Sequence, residues 1–387
     1  MKSCKVCLNP NLEELYRSRS STSITTMSDF VQGETRVFAC QNCSHLQTKP
    51  LFDPKAYYQN DYEINASSLD HDQLYAIEGK KNIYRNEHQS RVLLDKLKFE
   101  TGLRILDYGC GNGLTLKHLL NLEDGIEPFA FDVTDKYKKL WAQFLPESNF
   151  ATFVLPNTWE GSMDVVTSFF ALEHVEDPGL FVAELTKYLK KDGSLYIIVP
   201  NLYENFADLL VADHINHFSE ASLYLLLRRC GFQDIIIDSK SHNAALIAVA
   251  TNLNAEDNEE VDFSLNSLRD NYLNRAQEIS SFWSTAINNM KEHLNKNKGC
   301  ENIIYGAGVY GSWMHQYLSE WDTVKCFVDN NVYVHGSHVS GLRIFSPEEI
   351  SMTNKNVWFG LSPKIAAEVA LPIAQNANFS SYFYFEN

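Results

Sequence analysis

Two kinds of residue in this chain are spaced for chemistry: cysteines in pairs and histidines in a close group. Of the eight cysteines, Cys4/Cys7 and Cys40/Cys43 form two Cys-x-x-Cys knuckles. Two knuckles can bring four thiolates to one tetrahedral point, a closed structural zinc site with no open coordination position. His45 is an alternative ligand, although four cysteines suffice, and a redox dithiol is the competing reading. A metal so enclosed should staple the fold and do no chemistry. Cys110, Cys230, Cys300 and Cys326 stand alone, mostly in apolar stretches, as buried free thiols do. His214 and His217 lie three apart in Ala212-Asp-His-Ile-Asn-His-Phe-Ser219, so on a helix they would share a face. His174 closes the segment Ala171-Leu-Glu-His174. Histidine's ordinary pKa suits a base near neutral pH, which makes His217, His214 and His174 the candidate catalytic residues. The structural alternative is a helix cap, with Ser219 as the N-cap of the apolar stretch that ends at Gly231.

The elements that must position these residues alternate between strand and helix. Leu103-Arg-Ile-Leu-Asp107 reads as a strand running into Gly109, Gly111 and Gly113, with a helical pattern behind them. Such glycines permit a tight turn and let a ligand approach the backbone. Pro128-Phe-Ala-Phe-Asp132 reads as the next strand, ending in an acid that can accept hydrogen bonds from a ribose diol. Glu127 is the other candidate, but Asp132 sits better at a strand end. A strand from Met163, a turn through His174 to Pro178, a helix from Leu180 to Lys190, a stop at Lys191-Asp-Gly193 and a strand ending Val199-Pro-Asn201 follow. This alternation predicts a doubly wound α/β sheet.

A second unit begins at Asn302-Ile-Ile-Tyr-Gly306-Ala-Gly308-Val-Tyr-Gly311, and its next strand ends at Asp329. Read alone it is a dinucleotide fingerprint and supports an oxidoreductase, yet no companion tyrosine–lysine pair accompanies it. Its glycines can equally be packing devices in a scaffold.

Asp107-x-Gly109-x-Gly111-x-Gly113, Ala-Leu-Glu-His-Val-x-Asp-Pro, the Lys-Asp-Gly turn and the Val-Pro-Asn strand end resemble class I S-adenosylmethionine-dependent methyltransferases over roughly residues 102–250. The resemblance implies that Gly109, Gly111 and Gly113 cradle the methionine part of S-adenosylmethionine, that Asp107 orients it and that Asp132 holds its ribose. The whole layout is similar to sugar C-methyltransferases acting on nucleotide-linked keto-deoxysugars, which join a zinc module, a methyltransferase domain and a C-terminal α/β domain. That likeness implies a nucleotide sugar as substrate, held in part by the C-terminal unit, for which Gly306, Gly308, Gly311 and Asp329 are the residues. It also implies a Tyr/His-Glu-His cluster that handles a proton on carbon. The nearest match is His214-Ile-Asn216-His217, with Asn216 where the glutamate would stand. An asparagine cannot act as a base, so carbon, oxygen and amino nitrogen all stay open as the acceptor atom.

Composition limits the alternatives. At 387 residues and ~150 per domain, two or three domains are expected. The expected fold is α/β: a Rossmann-like class I methyltransferase domain (102–255) between an N-terminal zinc-binding module (1–50) and a second Rossmann-like domain (297–387). Residues 51–101, carrying Tyr57, Tyr58, Tyr62, Tyr75 and Tyr84, are expected to form a helical lid or bridge. Residues 256–296 form a helical linker behind the acidic stretch Ala255–Glu260. The net charge of −16 repels phosphate backbones and anionic headgroups, which argues against nucleic acid and membrane partners. No apolar run approaches the ~18 residues of a span, and Met1-Lys-Ser-Cys-Lys5 does not begin a signal peptide, so a cytoplasmic location is expected. The expected activity is methyl transfer to a small glycosyl metabolite; the alternatives are an NAD-binding oxidoreductase and a non-catalytic scaffold that binds sugar nucleotides.

Overall fold

A computed structural model describes residues 2–60, 69, 72–79, 81–98, 100–254, 266–376 and 379–382. Tyr62 and the stretch Ala255–Glu260 lie outside the described residues. Three strands of the N-terminal module, β1 (Leu12–Arg17), β2 (Arg36–Cys40) and β3 (Leu46–Thr48), pair antiparallel. A hairpin of Thr22–Ile24 and Phe30–Gln32 extends from them.

The central domain contributes β4 (Arg104–Tyr108), β5 (Glu127–Asp132), β6 (Phe150–Thr152), β7 (Met163–Phe169) and β8 (Leu189–Pro200). The very short β9 (Asn216–His217) precedes β10 (Phe232–Asp238) and β11 (Ala245–Leu253). Its sheet runs β6-β5-β4-β7-β8-β11-β10, parallel except that β11 is antiparallel to both neighbours. Strands such as Arg104-Ile-Leu-Asp-Tyr are buried on both faces, as the covering helices of a doubly wound sheet require. Those helices carry the expected start signals. Asp177 caps Pro178–Thr186 by accepting from Leu180 N at 2.9 Å. Ser219 caps Glu220–Arg229 in a capping box with Ser222.

A helix of 31 residues, Asn266–Lys296, leads to the C-terminal domain. There β12 (Glu301–Tyr305), β13 (Val324–Val328), β14 (His338–Val339), β15 (Leu342–Phe345), β16 (Lys355–Phe359) and β17 (Ser380–Tyr382) form a second sheet. Its order is β14-β15-β13-β12-β16-β17, parallel apart from the β14–β15 pair. Among the described residues, no helix is long and apolar enough to cross a membrane.

The bridge differs from the expected helical lid. It holds a short helix, Pro54–Asn60, a hairpin of Leu74–Glu78 and Lys81–Tyr84, and a helix, Arg85–Lys96. Gly79, at φ 63°, turns the hairpin, and residues of period-two character flank it.

The N-terminal module belongs to two cores at once. Cys4, Cys40 and Cys43 pack into the apolar core of the central domain. Tyr16, Ile24, Val37, Ala39 and Leu46 pack into the core that also holds the C-terminal sheet.

Candidate active site

The glycine turn follows β4 at the carboxyl edge of the sheet, where ligands of this architecture bind. Gly113 adopts φ 78°, and a Cβ there would lie 2.9 Å from Trp141 Cδ1, so the position tolerates only glycine. Asp132, at the end of β5, accepts from Gly111 N at 2.9 Å and from Thr134 N at 3.2 Å. Trp141 Nε1 donates to Gly111 O at 2.8 Å. The turn is therefore braced on both sides, with the acid and glycines brought together as expected. Asp107 is buried beneath it and accepts from Thr167 Oγ1 at 2.9 Å. Burial pushes its carboxyl up to about 7; the Thr167 bond opposes the rise and the charge of Asp132 adds to it.

The histidines stand one step away. A Cβ on Gly109 would meet the Ala171 side chain at 3.2 Å, and Ala171 leads directly into the single helical turn Leu172–His174. That turn follows β7, so His174 lies on the same carboxyl edge as the glycines. Its Nδ1 donates to Asp213 O at 3.1 Å and also touches the Tyr58 hydroxyl, which donates to Asp213 Oδ2 at 3.2 Å. The His214 ring stands edge-on to His174, with centroids 4.7 Å apart. Glu173 is 1% exposed, and its Oε1 sits 3.7 Å from His174 Nε2.

The segment carrying His214 and His217 is extended, not helical. β9 adds to the N-terminal sheet beside β3, pairing His217 with Leu46. Asp208 accepts from Nδ1 of both rings, from His217 at 2.6 Å. His217 Nε2 then meets Thr48 Oγ1 at 2.8 Å. The side chain of His217 is fully buried, with both nitrogens engaged, so it ties the N-terminal sheet to the central domain. His214 faces His174 instead.

Burial works against a charged His214, but the charge and hydrogen bond of Asp208 outweigh it and hold the ring up at about 9. Burial pushes His174 down to about 4 and Glu173 up to about 8. Asp208 is held well below the ordinary carboxylate range: burial opposes this, and the two imidazoles win.

Asn216 links the central domain to the N-terminal module. Its Nδ2 donates to Val175 O at 2.7 Å, and its Oδ1 faces His45 Nε2 at 3.3 Å. The acids of the site are Glu173, Asp208 and Asp213. Asp213 is fixed by Thr26 N at 2.8 Å and Thr26 Oγ1 at 2.5 Å. Sequence reasoning named none of these three as site residues, nor Tyr58. Asp208 had a signal, an acid inside the apolar run Phe206-Ala-Asp-Leu-Leu-Val211.

The four paired cysteines converge. Their sulfurs all lie within 4.8 Å of one another, with Cys4–Cys43 at 3.6 Å and Cys7–Cys40 at 3.5 Å. Val6 N points at Cys4 Sγ at 3.4 Å, a backbone contact suited to a thiolate. Left-handed Leu8 and Ser44 turn the two knuckles. This donor set fits a structural zinc ion. His45 is turned away, against Asn216 and the Phe218 ring.

The second glycine loop repeats the bracing, since Asp329 Oδ2 accepts from Ala307 N at 2.8 Å. Gly306, Gly311 and Gly360 pack backbone to backbone: a Cβ on Gly311 would lie 1.9 Å from Gly306 O. Gly308, which caps the helix Val309–Trp321, has no atom within 4 Å of its Cβ direction. From the first turn of that helix Tyr310 donates to Asn205 Oδ1 at 2.9 Å, in the loop of the central domain that leads to Asp208.

Residues 83–236 match the sequence model of a family described as "Methyltransferase domain". Over 107 residues the chain is 34% identical to a ubiquinone biosynthesis O-methyltransferase of Caulobacter vibrioides, covering 26% of this chain and 42% of that protein. Over 146 residues it is 30% identical to the mitochondrial ubiquinone biosynthesis O-methyltransferase of Schizosaccharomyces pombe, covering 35% of this chain and 52% of that one. The chain thus spans about half the length of the curated relatives it matches. Among solved structures, the CurJ carbon methyltransferase is 15% identical, with 44% of this chain and 54% of that chain covered and a TM-score of 0.36. A SAM-dependent methyltransferase from Aquifex aeolicus is 19% identical, with 43% and 92% covered and a TM-score of 0.35. The braced glycine turn and the matched family agree: the central part of this chain is a class I S-adenosylmethionine-dependent methyltransferase domain.

Proposed function

We propose that the protein transfers the methyl group of S-adenosylmethionine to a small glycosyl metabolite, a nucleotide-activated sugar, held between the central and C-terminal domains. The observation that carries this reading is the approach of Gly109 to Ala171, which sets the Glu173–His174–His214 cluster beside the cofactor turn. Bound at that turn, the cofactor supplies an electrophilic methyl carbon. Asp132 and Trp141 hold the turn's backbone in shape, and Asp107 offers its carboxylate to the ammonium of the methionine part. Across the edge, the histidine–carboxylate cluster receives the proton that the acceptor gives up. Asp208, Asp213 and Tyr58 fix the two rings so that no reorientation is needed, and a positioned proton acceptor is typically worth ~10²–10⁴-fold.

The second glycine loop supports the sugar-nucleotide part. Its backbone is open at Gly308, its acid stands where a ribose could be gripped, and Tyr310 joins it to the loop of Asp208. The thiolate cluster would hold zinc and fix the sheet that includes His217.

The named relatives favour a second reading, methylation on oxygen of an acceptor that is not a sugar, since their printed names give O-methyl transfer in ubiquinone biosynthesis. Labelled methyl transfer from S-adenosylmethionine, run against a panel of nucleotide sugars and a panel of catechol-type phenols, separates the two. Label in a nucleotide sugar is expected; label confined to the phenols would overturn the proposal. A thermal-shift comparison of S-adenosylhomocysteine with NAD(H) tests the oxidoreductase alternative, since a ligand of the folded state raises its apparent stability.

A further inference from the structure

Glu173 poses a problem that the proton-accepting role leaves open. Both of its carboxylate oxygens are buried, and neither has a hydrogen-bond partner among the described residues. A buried carboxyl group without hydrogen-bond partners is costly in either protonation state, and buried polar groups in folded proteins are almost always satisfied. The polar atoms grouped with it are the nitrogens of two imidazoles: Glu173, His174 and His214 each offer a ligand atom within 4.8 Å of the others.

The outer contacts of the rings decide which nitrogens face inward. His214 gives its Nδ1 to Asp208, and His174 gives its Nδ1 to the carbonyl of Asp213. These contacts engage the Nδ1 side of each ring, and His174 Nε2 lies 3.7 Å from Glu173 Oε1. A ring whose far N–H is held by a carboxylate or a backbone carbonyl is the usual state of a metal-ligating histidine. The ligand types agree with the outer contacts. Two imidazoles and one carboxylate select a first-row transition metal over magnesium or calcium, and three protein ligands leave positions open.

We propose that Glu173, His174 and His214 bind a divalent transition-metal ion with positions open to the acceptor, in addition to the zinc that the four cysteines would hold. The proposal rests on the reading of this cluster as the acceptor site, and it deepens that reading: the ion would engage an oxygen of the acceptor, the imidazoles would serve as its ligands and not as the base, and the proton of that oxygen would leave to water. It differs from the thiolate site in kind, because that site is closed and this one is open. Any proton on a ring nitrogen leaves when the metal arrives, as at other histidine sites.

Cobalt(II) is the probe, because thiolate ligation gives it an intense charge-transfer band that imidazole and carboxylate ligation do not. Metal-stripped full-length protein is titrated with Co²⁺ alone, and the ions bound per chain are counted by equilibrium dialysis and elemental analysis. One equivalent should appear with the thiolate band and a second without it. Glu173→Gln, which preserves the side chain's volume, should keep the thiolate band and weaken the second equivalent by at least ~10²-fold. His214→Gln should do the same, and Glu173→Asp should restore part of the binding. A single equivalent in the wild type, or a second one indifferent to both substitutions, overturns the proposal. Retention of the thiolate band shows that each variant is folded. Calorimetry with S-adenosylhomocysteine on the same samples keeps the two readings apart. Absent binding there would sink the methyltransferase site itself, whereas normal binding without a second ion sinks only the metal.

Discussion

The two glycine loops of this protein are built alike and loaded differently. In each, a strand runs into a glycine turn, and an acid at the end of the next strand accepts a backbone N–H of the turn, Gly111 to Asp132 and Ala307 to Asp329. In the first loop all three glycines are left-handed, at φ 80°, 52° and 78°, and a ring of buried titratable groups lies next door. In the second only Gly306 is left-handed; Gly311 and Gly360 serve backbone packing, and Gly308 opens onto free space. The shared bracing is thus a property of the fold, and the chemistry comes from what the neighbouring loops bring to the edge. For the first loop those neighbours are the Glu173–His174 turn and the segment from Asp208 to His217. For the second, the neighbour through Tyr310 is the central domain itself.

Breaking the loaded side at its most buried link should have the largest effect. Asp208 accepts from two buried imidazoles, so Asp208→Ala strands both, and the loss of one partner of such a group costs ~3–5 kcal/mol. Urea unfolding should show that loss, and a midpoint close to wild type would show that the site is looser than its hydrogen bonds indicate. The packed side should break almost as hard. Gly311→Ala places a methyl 1.9 Å from Gly306 O, where no side chain can yield, and should cost at least ~3 kcal/mol in thermal unfolding. Gly308→Ala should stay within ~0.5 kcal/mol, since its added carbon meets nothing. Equal effects at the two positions would dissolve the distinction between packing and open glycines.

Ligand affinity offers a smaller and more specific contrast. Asp132→Ala removes the brace of the turn and the group assigned to the ribose, so S-adenosylhomocysteine should bind ~10–100-fold more weakly by calorimetry. Asp329→Ala should leave that affinity unchanged. A matching loss in both variants would mean that the cofactor reaches the second loop.

The two loops were legible in the sequence because local backbone demands dictate their residues: glycine for left-handed turns, an acid at a strand end. The four cysteines were legible for a similar reason, as a closed site needs its donors in fixed pairs. The neighbourhood of the first loop was not. Several partners of Asn216 and His217, namely Val175 O, His45 and Thr48, come from distant segments that no local pattern ties to them. Strand pairing with the N-terminal sheet turns His217 inward, and spacing rules that assume a helix cannot foresee it. Asp208 was the readable exception, because a carboxylate in an apolar run must have a buried partner. The bridge after residue 51 mixes both kinds of element: Leu74–Glu78 and Lys81–Tyr84 around Gly79 form a hairpin, while Pro54–Asn60 and Arg85–Lys96 are helical.

The subtlest difference between the loops is electrostatic, and pH tests it. Burial pushes the Asp107 carboxyl up to about 7, with the charge of Asp132 adding to the rise and Thr167 donating against it. A raised carboxyl is neutral below its pKa, and a neutral acid cannot pair with the ammonium of the methionine part. Cofactor affinity should therefore fall as pH drops below about 7, by up to ~10-fold per unit, and level off above it. The same shift favours protonation of the ligand-free fold, so stability without ligand should decline as pH rises from the ordinary carboxylate range toward 7. Asp107→Asn should flatten the affinity profile at the weak, low-pH value. An unchanged profile in that variant would assign the titration to another group, with Asp132, also raised by burial, as the next to substitute.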